Sequence, residues 1–212
     1  MWRFLRFVAW VLGVAIVVGG ILRLTLFVSW TIPDDALLDA SMQPTLGSGD
    51  TVLVLRRGTP GLGDLVRCRD PEEASRWVVG RIVGEPGDSI ELKGRALRVN
   101  GTRFDATEAC VKPTFFVQHP DTGNQTEVQC SRVEMGGGWH FRGNLVKYKS
   151  GIDAKHDVGP DRVYLLSDNR DMHDDSRDFG TLLAEDCRER IVFRLWGSEG
   201  WAGGDRRMKV IR

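Results

Sequence analysis

SDNRDMHDDSRDFG, residues Ser167–Gly180, holds five aspartates, two arginines, a histidine, two serines and an asparagine in fourteen positions. It is too polar for a core strand, because charged side chains are rarely buried without partners. It is also too repetitive for a casual loop. His173 stands alone among the acids, and the rest of the chain has to explain why.

The runs around it read as short strands. RVYLL (162–166) precedes it and RERIVFRLW (188–196) follows. Upstream, TVLVLRR (51–57), DLVRCR (64–69) and RWVVGRIV (76–83) are rich in β-branched residues and bounded by Gly, Pro or Asp. DSIELKGRALRVNG reads as a hairpin turning near KGR. No internal repeat and no long amphipathic helix is visible, so the expected class is mainly β.

The 212 residues suffice for one core and a small extra lobe. Basic and acidic residues balance at 29 each, which leaves no basic field for a nucleic-acid partner. The apolar residues crowd the start, MWRFLRFVAWVLGVAIVVGGILRLTLFVSW. Phe7 to Leu22 carries no charge, Arg23 interrupts, and an apolar tail runs to Trp30. About 20 apolar residues span a bilayer core, and an arginine near one end reaches the headgroups. Arg3 and Arg6 precede the run and predict a cytoplasmic N-terminus. The run is long for a cleavable signal peptide and no small-x-small site follows it, so a retained single-pass anchor is expected. The remaining chain then lies outside the cytoplasm.

The four cysteines fit an oxidising compartment. Cys110 and Cys130 flank a polar segment and could close a loop, while Cys68 and Cys187 are unassigned. No Cys or His spacing resembles a zinc site, so neither metal nor cofactor is expected. The expected division is an anchor and membrane exit (1–33), a first core part (34–100), an inserted lobe (101–160), a second core part (161–197) and a loose tail (198–212). The insert is polar, with GGGWH in its middle, and reads as a β lobe or ribbon, or else as a partly disordered insertion.

Three weak signals gain meaning from their order. SMQPTL (41–46), GDLV (63–66) and RIVGEPGD (81–88) are each unremarkable turns or strand ends. An anchor, these three, and then DNRD…DSR with a closing glycine resemble the type I signal peptidase family, S26. Arg23 through Phe27 to Ile32-Pro33 extends the likeness.

The resemblance implies a membrane-bound serine endopeptidase that cuts signal peptides from exported preproteins. It implies an N-terminal transmembrane helix and a β-rich catalytic core with an inserted β lobe. The setting would be the bacterial cytoplasmic membrane, with the lipid bilayer, secretory preproteins and the export translocon as partners. The nucleophile would be Ser41, and a serine needs an adjacent base. Bacterial members use a lysine kept neutral by burial, just before the motif's arginine. Here that position is Gly80. Lys93 belongs to the hairpin, and Lys147, Lys149 and Lys155 to the insert or its edge. Eukaryotic and archaeal relatives place a histidine there, which Gly80 is not.

The family residue matching His173 is usually a serine beside that lysine. This chain has lost the lysine and gained an imidazole next door, and Gly80 would leave room for the ring. A Ser41–His173 dyad is therefore expected, with an ordinary imidazole pKa of about 6.5 suiting a base near neutrality. Asp171 or Asp174 would orient the ring. Asp175 and Arg177 would brace the loop, with Asp168, Asn169, Arg170 and Ser176 supporting it.

Two further departures matter. The segment IPDDALLDASM is longer than the family's Ile-Pro-Ser-x-Ser-Met. Asp39, two residues before Ser41, must point away from a developing oxyanion, which would rest on the Ser41 backbone N–H. The substrate would lie extended as an added strand. Val78 and Val79 would line it, and Met42 and Leu46 a small S1 pocket for Ala or Gly, unless all four are simply core. The competing reading is an inactive paralogue that binds signal peptides or a partner protease. A soluble self-cleaving Ser–Lys repressor is disfavoured by the anchor and the missing lysine.

Overall fold

A computed structural model describes residues 2–73, 75–147 and 153–211. The uncharged start is helix α1, Trp2–Thr25. Its Trp2–Leu22 portion is long and apolar enough to cross a membrane, and its apolar side chains are exposed. The side chain of Arg23 lies outside the described residues. The apolar tail does not continue the helix. Phe27–Thr31 is strand β1, whose Val28 and Trp30 pack on the core. Its period-2 burial takes precedence over a helical continuation.

The central antiparallel sheet has eight strands. Its order is β1, β2 (Thr51–Leu55), β14 (Glu189–Trp196), β3 (Leu65–Arg69), β4 (Trp77–Gly84), β12 (Arg162–Leu166) and β13 (Leu182–Leu183). β15 (Lys209–Val210) adds to β14. The expected strands at 51–57, 64–69, 76–83, 162–166 and 188–196 are all present. A second sheet holds the hairpin β5 (Ser89–Lys93) and β6 (Ala96–Val99), flanked by β11 (Asp153–Asp157) and β7 (Thr102–Phe104). A three-stranded ribbon is built from β8 (Ala106–Gln118), β9 (Gln125–Met135) and β10 (Gly138–Leu145).

Two expected boundaries shift. The 101–160 segment is not one lobe, because Thr102–Phe104 and Asp153–Asp157 complete the hairpin's sheet. The ribbon strands form a sheet of their own, packed against Ala40 and Met172 through Val117, Val128 and Leu145. The 198–212 segment is not loose over its described part. Asp50 is 1% exposed, and a buried carboxylate needs compensation. Arg194 meets it at 3.0 Å and Arg206 of the tail at 2.6 Å. Ile211 then packs on the same core.

The sheet separates two cores. Ile32, Leu38, Met42, Leu46, Val52 and Val79 belong to one side. Val66, Cys68, Val78, Ile82, Leu165 and Cys187 belong to the other. Cys68 is bonded to Cys187, and Cys110 to Cys130.

Candidate active site

The longer segment before Ser41 folds as a short helix, α2, Ala36–Met42. Asp35 caps it, accepting the Leu37 and Leu38 N–H groups at 2.9 Å each. Leu38 and Met42, four apart, point into the core on the Val79 side. Ser41 therefore lies in the last helical turn, fully buried, and the chain bend expected there comes after it, at a cis Gln43–Pro44 bond. Its Oγ donates to the Leu38 carbonyl at 3.1 Å. A helical amide at this position is directed at the Leu37 carbonyl, so the expected oxyanion donor is engaged in this state. Asp39 does point elsewhere: it accepts from Gln43 Nε2 at 2.7 Å and from the Ser48 N–H at 2.6 Å.

The 167–180 loop is held by its own charges. Asp175 accepts the Ser167 N–H at 2.7 Å, and Arg177 through its N–H, Nε and Nη2 at 3.0, 2.9 and 2.7 Å. Burial would raise the Asp175 pKa, but the hydrogen bonds and charge of Arg177 outweigh it and hold the carboxyl below its ordinary value. Ser176 Oγ accepts the Leu165 N–H at 2.9 Å, and Arg177 Nη1 donates to the Arg170 carbonyl at 2.7 Å. Asp168 is wholly buried and takes Arg81 Nε and Nη2 at 2.8 and 2.7 Å and Thr45 Oγ1 at 2.5 Å.

This loop is stitched to the serine segment. The Asn169 N–H donates to the Ser41 carbonyl at 2.8 Å, and its Nδ2 to the Ala40 carbonyl at 2.9 Å. The ribbon's foot closes the junction from the other side, with the Gly143 N–H on the Asp168 carbonyl at 2.8 Å and the Arg170 N–H on the Gly143 carbonyl at 2.9 Å. A Cβ at Gly143 would stand 3.0 Å from Val128 Cγ1 and 3.1 Å from the Gln43 carbonyl oxygen, so any side chain there would have to push its neighbours back by a few tenths of an ångström.

His173 is partly buried, and its Nδ1 lies 2.8 Å from Asp178 Oδ2. The carboxylates expected to orient it are committed elsewhere. Asp171 takes Arg95 Nη2 at 2.9 Å and the Leu145 N–H at 2.8 Å, and Asp174 pairs with Arg76. Only the capping role of Asp178 is legible in the sequence: Asp175-Ser-Arg-Asp178 has capping-box spacing, and its carboxylate accepts the Asp175 N–H at 3.0 Å. The His173, Asp175 and Asp178 ligand atoms lie within 4.8 Å of one another, but Asp175 already accepts the four donors above. Ser41 and His173 share no hydrogen bond among the described residues.

Three expectations need correction. A Cβ on Gly80 would meet Leu165 Cβ at 3.0 Å, so Leu165 fills the space expected to admit the ring. Val78 faces the opposite side of the strand from α2, packed with Val66 and Cys68, so it cannot share a binding face with Val79. Met42, Leu46 and Val79 are 0–2% exposed and serve here as core. Lys149 lies outside the described residues. Gly80→Ala is expected to cost about 1–2 kcal/mol by overpacking Leu165, measured by urea unfolding and largely relieved in combination with Leu165→Ala.

His140 escaped the sequence reading. It is 2% exposed on β10, and burial first, then Arg81, holds its pKa well below the ordinary value despite Asp168. The folded ring is neutral while the unfolded one charges below about pH 6.5, so the unfolded chain binds more protons and stability falls as pH drops through that range. His140→Phe is expected to flatten the fall in urea midpoint between about pH 6.5 and pH 5. An unchanged slope would dismiss the imidazole as its source.

The family described as "Signal peptidase, peptidase S26" matches residues 4–196. A Signal peptidase I of Streptococcus pneumoniae serotype 4 (strain ATCC BAA-334 / TIGR4) is 28% identical over 163 residues, covering 74% of this chain and 78% of that protein. A Signal peptidase IB of Staphylococcus aureus (strain Mu50 / ATCC 700699) is 30% identical over 162 residues, covering 74% of this chain and 73% of that protein. A crystal structure of a signal peptidase I from Enterococcus faecalis V583 aligns with a TM-score of 0.39 at 18% identity, covering 63% of this chain and 97% of that one.

Proposed function

Since the chain belongs to the signal peptidase, peptidase S26 family, we propose that it is a membrane-anchored serine endopeptidase that removes signal peptides from exported preproteins, with Ser41 as nucleophile and His173 as general base. One observation carries the reading. Asn169 bonds both Ala40 and Ser41, so the loop that bears His173 and the helix that bears Ser41 are one unit. The imidazole takes the Ser41 proton on attack and returns it to the leaving amine. Substrate binding must first draw the Ser41 hydroxyl off the Leu38 carbonyl, since catalytic hydrogen bonds often tighten only in the complex.

The helix Trp2–Leu22 serves as the anchor in the bacterial cytoplasmic membrane. Arg3 and Arg6 keep its start in the cytoplasm. The two disulfides, both beyond that helix, support an extracytoplasmic catalytic part. The partners are the bilayer, preproteins and the translocon that delivers them.

A second reading, peptide binding without turnover, is favoured by the buried and engaged Ser41 hydroxyl. Incubating the full chain in detergent with a signal-peptide-bearing preprotein separates the two. Cleavage by wild type and none by Ser41→Ala supports the peptidase. Binding without cleavage by wild type supports the second reading.

A further inference from the structure

We propose that Asp178 is the residue that positions His173, which makes the base half of the site a carboxylate–imidazole pair. The inference rests on the Ser41–His173 reading above. A carboxylate only accepts, so the 2.8 Å bond to Asp178 places the ring proton on Nδ1. That leaves the Nε2 lone pair free to receive a proton, the role Nε2 has in a serine-protease triad.

Asp178 is suited to the task in two ways. Its carboxylate is fixed from behind, because Oδ2 also accepts the Asp175 N–H at 3.0 Å in the first turn of α3, Ser176–Phe179. Asp175 is in turn held by Arg177, so the pair hangs on a buried ion pair rather than on a free loop. The remaining acids of the loop are taken: Asp168 by Arg81, Asp171 by Arg95 and Asp174 by Arg76. Tyr164, Asp174, Asp175 and Arg177 are the other charged and titratable groups that face Asp178 among the described residues.

Two variants keep the cap, and only the first removes the charge. Asparagine retains an acceptor for the Asp175 N–H, and glutamate is the usual capping-box residue at that position. A triad carboxylate-to-amide change typically lowers kcat about 10⁴-fold; Asp178 is exposed, so Asp178→Asn should lose on the order of 10²-fold in kcat at unchanged KM. Asp178→Glu should recover much of it. The full chain in detergent, with its histidines labelled with ¹⁵N, gives a readout that needs no turnover. Neutral His173 should be the Nδ1–H tautomer in wild type, and that preference should weaken in Asp178→Asn, whose uncharged oxygen holds the ring proton less strongly. A wild-type ring protonated on Nε2 overturns the proposal. So does full kcat in Asp178→Asn when His173→Ala is inactive, an outcome that leaves the Ser41–His173 reading intact. Wild-type rates in His173→Ala would instead remove the parent reading, and this proposal with it.

Discussion

His173→Ala is expected to lower kcat for signal-peptide cleavage by about 10²–10⁴-fold, the usual share of a positioned acid–base group. The loss should fall on kcat rather than on KM, because the ring touches a proton in flight and not the peptide. Wild-type kcat/KM should rise with pH as the ring loses its proton, since only the neutral imidazole can accept one from Ser41. The variant should lack that limb. Ser41→Ala should be inactive at every pH. Retention of both the rate and the limb in His173→Ala would place the base elsewhere.

Arg81→Leu carries the largest expected effect on stability. Both Arg81 and Asp168 are wholly buried, and their two-point contact is shared with Thr45. Removing one partner of a buried pair costs about 3–5 kcal/mol, because the other is left charged in a low-dielectric site. The pH dependence should also reverse for this group. In the wild type, burial alone would raise the Asp168 pKa, but the charge and hydrogen bonds of Arg81, with help from Thr45, hold it below the ordinary value. Its contribution is present above the unfolded pKa and is lost as pH falls through the lower folded one. Without Arg81, burial outweighs the remaining Thr45 hydrogen bond, so the carboxyl titrates high and the variant weakens as pH rises. The urea midpoint deficit of Arg81→Leu should therefore be larger at pH 7 than at pH 4. An equal deficit at both would mean that lost packing, not uncompensated charge, sets the cost.

Local pattern was enough for the strands of the central sheet, because TVLVL, LVRCR, WVVGRIVG and RVYLL carry β-branched residues between clear turn signals. It failed where tertiary packing takes over. FVSWT follows an apolar helix without a break, and only its pairing with β2 marks it as a strand. ASM looked like a bend because proline follows, yet the Asp35 cap and the Leu38–Met42 spacing wind it into a helix. The tail's Gly-rich run suggested looseness, and the buried Asp50 that recruits Arg206 lies far away in sequence. At the site, the loop's bracing ion pairs were legible from their residue types. Which aspartate meets His173 was not, since five acids within fourteen positions offer equivalent chemistry until a backbone assigns them.

The Cys68–Cys187 bond joins residues 119 apart, and the entire ribbon lies inside the loop it closes. Closure entropy grows only with the logarithm of loop length, by about 0.6 kcal/mol for each doubling. The core on one side of that bond is therefore almost indifferent to how much chain travels between its two ends. The ribbon's foot at Gly143 is fixed by the site, but its far tip, between Gln118 and Gln125, is free to lengthen or shrink at little cost to the fold. That tip is where this scaffold can acquire a new recognition surface without disturbing the serine beneath it.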